Sequence, residues 1–183
     1  MTLTDPGPAV LAGLPCPDCG TTLTLTGSQH RVLTEVARGT STERISQLLR
    51  AGRNTVSTSK DRDRAGAEAI RDVVHALQAT GRPHAVAIAC RTGLLTPPRL
   101  RPPEDGIPDP LRRTAELLAE GLTVREIART LAIAADTVTA RLGRLRKTLG
   151  AESGAHVIFG LYAISELPAH HPCPCRRMHR AKR

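Results

Sequence analysis

At 183 residues the chain holds one ordinary domain or two small ones, and either could bury a working core. A formal net charge of +9 points to a polyanionic partner, nucleic acid before membrane, while one Tyr, one Phe and no Trp leave almost nothing to stack bases on, which argues against single-strand readers built on aromatic platforms. No apolar run approaches a bilayer span and residues 9–14 lack a basic leader, so a cytoplasmic protein is expected, its five cysteines free thiols or metal ligands rather than disulfides.

In chain order, residues 1–24 read as a leader that is loose over 1–14 and then carries Cys16-Pro17-Asp18-Cys19-Gly20, a Cys-x2-Cys knuckle running into a short strand, half of a zinc ribbon. A first helical unit is expected over 25–95. Its first helix turns Val32, Leu33, Val36 and Ala37 inward and stops at Arg38-Gly39, and Ser41 or Thr42 caps a second helix holding Ile45, Leu48 and Leu49. Asn54-Thr55-Val56 follows, then a stretch rich in Lys60, Asp61, Arg62, Asp63 and Arg64 with no large apolar side chain. Periodicity returns at Ile70, Val73, Val74 and Leu77, which predicts one long helix rather than a break at Gly66. His75 and His84 read as surface or satisfied polar groups, and Cys90 as part of an apolar helix face.

Residues 96–110 contain six prolines and Gly106, a non-helical linker assigned to 96–106 that marks a domain boundary. The second unit is expected over 107–167. Leu111, Ala115, Leu118 and Ala119 face inward on its first helix, and Thr123 caps a second helix bearing Ile127, Ala128 and Leu131. After the short connection 132–134, Val138, Leu142, Leu145 and Leu149 fall at spacings of four, three and four and make one apolar stripe, with Arg141, Arg144, Arg146 and Lys147 on the other faces. A closing helix near 153–165 offers Val157, Ile158, Leu161, Tyr162 and Ile164, more apolar surface than a three-helix core requires. The tail 168–183 is basic and rich in His and Cys, with five of its last eight residues Arg or Lys.

The two units share a register. Gly39 stands 82 residues before Gly121, and Asn54-Thr55-Val56 stands 82 before Asp136-Thr137-Val138, which suggests an internal duplication. The interval from Asn54 to Leu77 is ten residues longer than that from Asp136 to Leu149, and Asp61 and Asp63 fall in the surplus, where they would repel phosphate. The expected fold is therefore all-α: two tandem small helical bundles with short Cys-containing termini, the second unit the stronger DNA binder.

Gly121, Glu126-Ile127-Ala128, Thr137-Val138 and Lys147-Thr148-Leu149-Gly150 together resemble the LuxR-type (GerE-like) helix-turn-helix family over roughly 107–167, the inserted Thr148 departing from its Lys-Leu-Gly ending. Region 4 of sigma factors shares much of this pattern. The resemblance implies a transcriptional regulator of double-stranded DNA that is not an enzyme. Its recognition helix, opened by the DNA-binding Thr137, would enter the major groove, with base-edge duty at Thr139 and Ala140 and at Gly143, which has no side chain, and Arg141 as the best guanine reader. Arg144, Arg146, Lys147, Thr123 and Arg125 become the phosphate contacts, and Asp136 a helix N-terminal charge. The fourth helix is the family's dimer contact, so 153–165 would pair either with the helix around Val86 of the first unit, an intramolecular pseudo-dimer, or with a second chain.

Two alternatives remain open at this level: a sigma region 4-like module that also binds RNA polymerase, and a zinc-stabilised protein-interaction adaptor. Cys16, Cys19, Cys173 and Cys175 would form the structural zinc site, joining the two ends of the chain, although Cys-x-Cys is tighter than the usual ligand spacing. No catalytic constellation, phosphate loop or membrane segment stands out.

Overall fold

A computed structural model describes residues 10–15, 20, 22–50 and 59–168. The fold is all-α apart from one short two-stranded ladder. Strand β1 (Val10–Ala12) runs antiparallel to β2 (Thr24–Thr26), with Leu11 opposite Leu25. Residues 10–12 are thus not part of a loose leader, as composition had implied; three residues are too few to show a period in the sequence. Beyond the ladder, the Gly13 N–H donates to the Leu23 carbonyl and the Leu14 N–H to that of Thr92. Only glycine fits at 13, because a Cβ there would stand 2.9 Å from the Thr92 oxygen.

Eight helices follow among the described residues: α1 (Gly27–Ala37), α2 (Thr42–Arg50), α3 (Ser59–Ala76), α4 (Arg82–Arg91), α5 (Asp109–Ala119), α6 (Val124–Leu131), α7 (Ala135–Leu149) and α8 (Gly154–Ala163). Side chains fix several of their starts. Thr26 and Gln29 form a reciprocal capping box on α1, the Ser41 hydroxyl accepts from the Arg44 N–H on α2, and the Ser153 hydroxyl accepts from the His156 N–H on α8. Proline starts α4 and α5, where its missing N–H has no intrahelical partner to lose. Helix α5 therefore begins at Asp109-Pro110, two residues earlier than a non-helical stretch ending at 110 would allow.

As the periodicity required, α3 is one continuous helix through Gly66. The glycine is buried where α3 crosses α2, and a Cβ there would run into the Ser46 hydroxyl and the Thr42 carbonyl. Helices α1 and α5 start 82 residues apart, as do α2 and α6, whereas α4 and α8 start 72 apart. The ten-residue surplus is thus absorbed between the start of α2 and the end of α3.

One apolar core runs through both units. It joins Leu25, Leu33, Ile45, Ile70, Val73 and Leu77 to Leu111, Ala115, Leu145, Val157, Ile158 and Leu161. Helix α4 lies at its centre: every residue from His84 to Ala89 is buried, as expected for a helix covered on all sides by α1, α3, α5 and α8. The surplus apolar surface of α8 is spent on α4, burying side chains worth about 1.5–3 kcal/mol each in transfer free energy. A smaller cluster of Leu117, Ile127, Ala128 and Val138 holds α5, α6 and α7 together. Leu117 was not among the residues the α5 periodicity turned inward. It is buried because α5 is packed on two sides, so Leu118 lies half-buried between the clusters while Leu117 fills the smaller one.

Candidate nucleic-acid interface

The interface is built from α6, a three-residue connection and α7. Thr123 fixes the start of α6: its hydroxyl accepts from the Glu126 N–H at 3.3 Å, and the Glu126 carboxylate accepts from the Thr123 N–H at 2.7 Å and from its hydroxyl at 2.9 Å. Such a box contributes about 1 kcal/mol. The chain then reverses at Ala132, which is left-handed at φ +52°, and the Ile133 N–H returns to the Ala128 carbonyl. Helix α7 starts without a side-chain cap; Asp136 lies in its first turn, Arg146 and Lys147 in its last, both favourable to the helix dipole.

Val138 and Leu145 are fully buried and Leu142 and Leu149 half-buried, which fixes the rotation of α7 and with it the outward face. Of the residues assigned to DNA, Thr123, Arg125, Thr137, Thr139, Ala140, Arg144, Arg146 and Lys147 are exposed. Arg141 is the exception. It is half-buried on the flank toward α5, with Nη1 3.4 Å from the Pro110 carbonyl and 3.5 Å from the Thr114 hydroxyl. A cavity of about 650 Å³ opens on that flank between residues 103–111 and α7, lined by Asp105, Thr137, Arg141, Arg144 and Lys147 among others. Directly opposite the apolar stripe stand Ala140, Gly143 and Lys147, so the outermost strip is rich in backbone access and poor in base-reading side chains.

Helix α3 gives the comparison. Ile70, Val73 and Leu77 are buried at the spacing of Leu142, Leu145 and Leu149, 72 residues before them. In that register the exposed Arg64, Glu68, Arg71, Asp72 and His75 take the places of Asp136, Ala140, Gly143, Arg144 and Lys147. Glu68 is shared by Arg64 at 2.9 Å and Arg71 at 3.8 Å, so the cations on this face are partly neutralised within the helix. Asn54-Thr55-Val56, the sequence's match to Asp136-Thr137-Val138, lies outside the described residues. Gly66 takes the inward place of Val138.

The proposed zinc ligands Cys16, Cys19, Cys173 and Cys175 also lie outside the described residues, among which no group of three or more His, Cys, Asp or Glu side chains could hold a metal. Burial pushes the Cys90 thiol up to about 12 against the opposing pull of Arg91, which keeps it a neutral packing group at physiological pH. Tyr162 is likewise raised by burial, and its hydroxyl accepts from Arg91 Nε at 2.8 Å. The second guanidinium arm of Arg91 donates to the Ala119 carbonyl, tying α4 to α5 and α8. Sequence reasoning passed over Arg91, and nothing in its local pattern marks it. It also passed over the partners of His84 and His156, which come from the opposite half of the chain and leave no local signal, Gly121 facing the first and Gly39 the second. No helix among the described residues is long and apolar enough to cross a membrane.

Compared with known proteins, no curated protein and no solved structure matches the chain. The family described as bacterial regulatory proteins, luxR family, matches residues 112–159, from the first turn of α5 into α8. Residues 112–159 therefore form a LuxR-family domain of the kind found in bacterial regulatory proteins.

Proposed function

We propose that the chain is a sequence-specific regulator of transcription that binds double-stranded DNA through α7, with no enzymatic step of its own. The observation that carries this reading is the exposed basic array of Arg144, Arg146 and Lys147 on the recognition helix of the LuxR-family domain, with Thr123 and Arg125 at the start of α6 beside it. Phosphate contacts from these residues would seat α7 in the major groove, where its exposed Thr137, Thr139 and Ala140 meet base edges. Arg141 is the long donor nearest them. Its contacts to α5, at 3.4 and 3.5 Å, are weak enough to exchange for a guanine edge. Arg141→Ala is expected to cost about 1–3 kcal/mol on the preferred site and to relax specificity, whereas Lys147→Ala weakens all duplexes alike and lowers the salt slope by about 1. Binding isotherms on selected and random duplexes check both, and equal losses for Arg141→Ala would remove it from base reading.

Affinity that falls steeply with salt separates this function from a protein-interaction adaptor, for which duplex binding is absent even at low salt. A second reading, a promoter-bound module that also touches RNA polymerase, draws on the charge-balanced outer face of α3, which suits a protein surface better than phosphate. We further propose that residues 25–95 are a degenerate second copy of the domain, supported by the shared order and offsets of α1–α4 and α5–α8, with residues 96–106 as the linker and 107–167 as the DNA-binding copy. For the termini, the proposal is one structural zinc on Cys16, Cys19, Cys173 and Cys175. It is supported by the β1–β2 ladder, which holds together the two ends of the segment carrying the first pair. One zinc equivalent retained through dialysis in the intact protein and lost in Cys19→Ser is the expected result.

A further inference from the structure

The contacts between the two halves of the chain are reciprocal. His84, the third residue of α4, accepts through Nδ1 from the Thr80 N–H at 3.1 Å and lies against Gly121, just after α5. His156, the third residue of α8, accepts through Nδ1 from the Glu152 N–H at 3.2 Å and lies against Gly39, just after α1. Both glycines are left-handed, at φ +82° and +85°, and a Cβ at either would run into the facing imidazole. Each half thus hands a histidine to the other half's glycine. A contact in which one surface meets its own equivalent, i to j and j to i, is what a twofold axis between identical subunits produces. Here a single chain makes it.

The surrounding helices obey the same relation. Helix α4 packs on α5 as α8 packs on α1, and α4 meets α8 in the middle. The apolar faces of this pair are used up: Val86, Ile88, Val157, Ile158 and Leu161 are all inaccessible to solvent. We infer that α4 and α8 form an internal dimer contact, so that one chain supplies both halves of a twofold assembly, remains a monomer, and carries α3 as a second, unlike counterpart of α7. Because α3 carries Glu68 and Asp72 at the places of Ala140 and Arg144, the monomer engages one half-site through α7. This last clause rests on the DNA-binding reading above; the internal pairing does not.

Two measurements on the intact chain test it. Light scattering across a hundredfold range of concentration is expected to give the single-chain mass of 19.6 kDa throughout. A concentration-dependent mass of twice that value overturns the internal contact. Binding is then measured on duplexes carrying one copy of the sequence selected from random DNA, or two inverted copies at each spacing over a helical turn. The expected gain from the second copy is no more than the statistical twofold. A cooperative gain of tenfold or more at one spacing overturns the single half-site. A monomeric mass with no binding to any duplex supports the internal pairing and overturns the DNA reading instead.

Discussion

Gly121→Val is expected to destabilise the protein by about 3 kcal/mol, whereas Gly143→Ala, the same kind of position by residue type, is expected to stabilise it by about 0.5–1 kcal/mol. The difference lies in the backbone and in what stands opposite. Gly121 is at φ +85°, where an L side chain costs about 1–2 kcal/mol and a β-branched one more. The new methyl groups would also meet the His84 ring and the Thr80 hydroxyl, which donates to the Gly121 carbonyl at 2.7 Å. Overpacking of that kind adds about 1–3 kcal/mol. Gly143 sits inside α7 with no atom within 4 Å of the place a methyl group would take, so alanine there only restricts the unfolded chain and improves helix propensity. Urea unfolding of the two variants measures both effects, and Tm should fall by about 6–12 °C for the first. If both variants move stability the same way, the close seat of His84 on Gly121 is wrong.

The two glycines that face histidines, Gly39 and Gly121, also mark how far sequence reasoning reaches. Periodicity found the helices because each buries one stripe: Val32, Leu33 and Val36 on α1, and Val138 and Leu145 on α7, are inward as their spacing required. It could not find β1, whose pairing depends on a partner twelve residues or more away rather than on a repeat. The shared 82-residue spacing drew attention to Gly39 and Gly121, but the cause of glycine there is a histidine from the opposite half, a contact distant in sequence in each case. Sequence comparison also set Asn54 against Asp136, although packing of Ile70, Val73 and Leu77 sets Arg64 there. A fixed offset cannot show where an insertion ends; the buried side chains can. Within the candidate interface the basic residues were legible and their exposure followed. The flank position of Arg141 was not, since it depends on how α5 lies against α7.

That register makes the second large effect a comparison between two helices of one molecule. Arg144→Glu with Lys147→Glu on α7 is expected to weaken duplex binding by at least about 30-fold, on the order of 2 kcal/mol, and to lower the salt slope by about 2. Both residues are exposed beside Thr137 and Arg141, and the proposed function assigns their charge to phosphate. Arg64→Glu with Arg71→Glu on α3 removes the same amount of positive charge from the molecule. It is expected to change affinity less than about threefold, because those guanidiniums already share Glu68 and stand beside Asp72. The fold should survive both doubles. The Arg64–Glu68 pair is exposed and surface pairs of this kind contribute at most about 1 kcal/mol. Since the net charge changes equally, any difference between the doubles reports local contact rather than the long-range field. Equal losses for the two would mean that DNA is attracted by overall charge alone, or that α3 lies on the duplex as closely as α7 does.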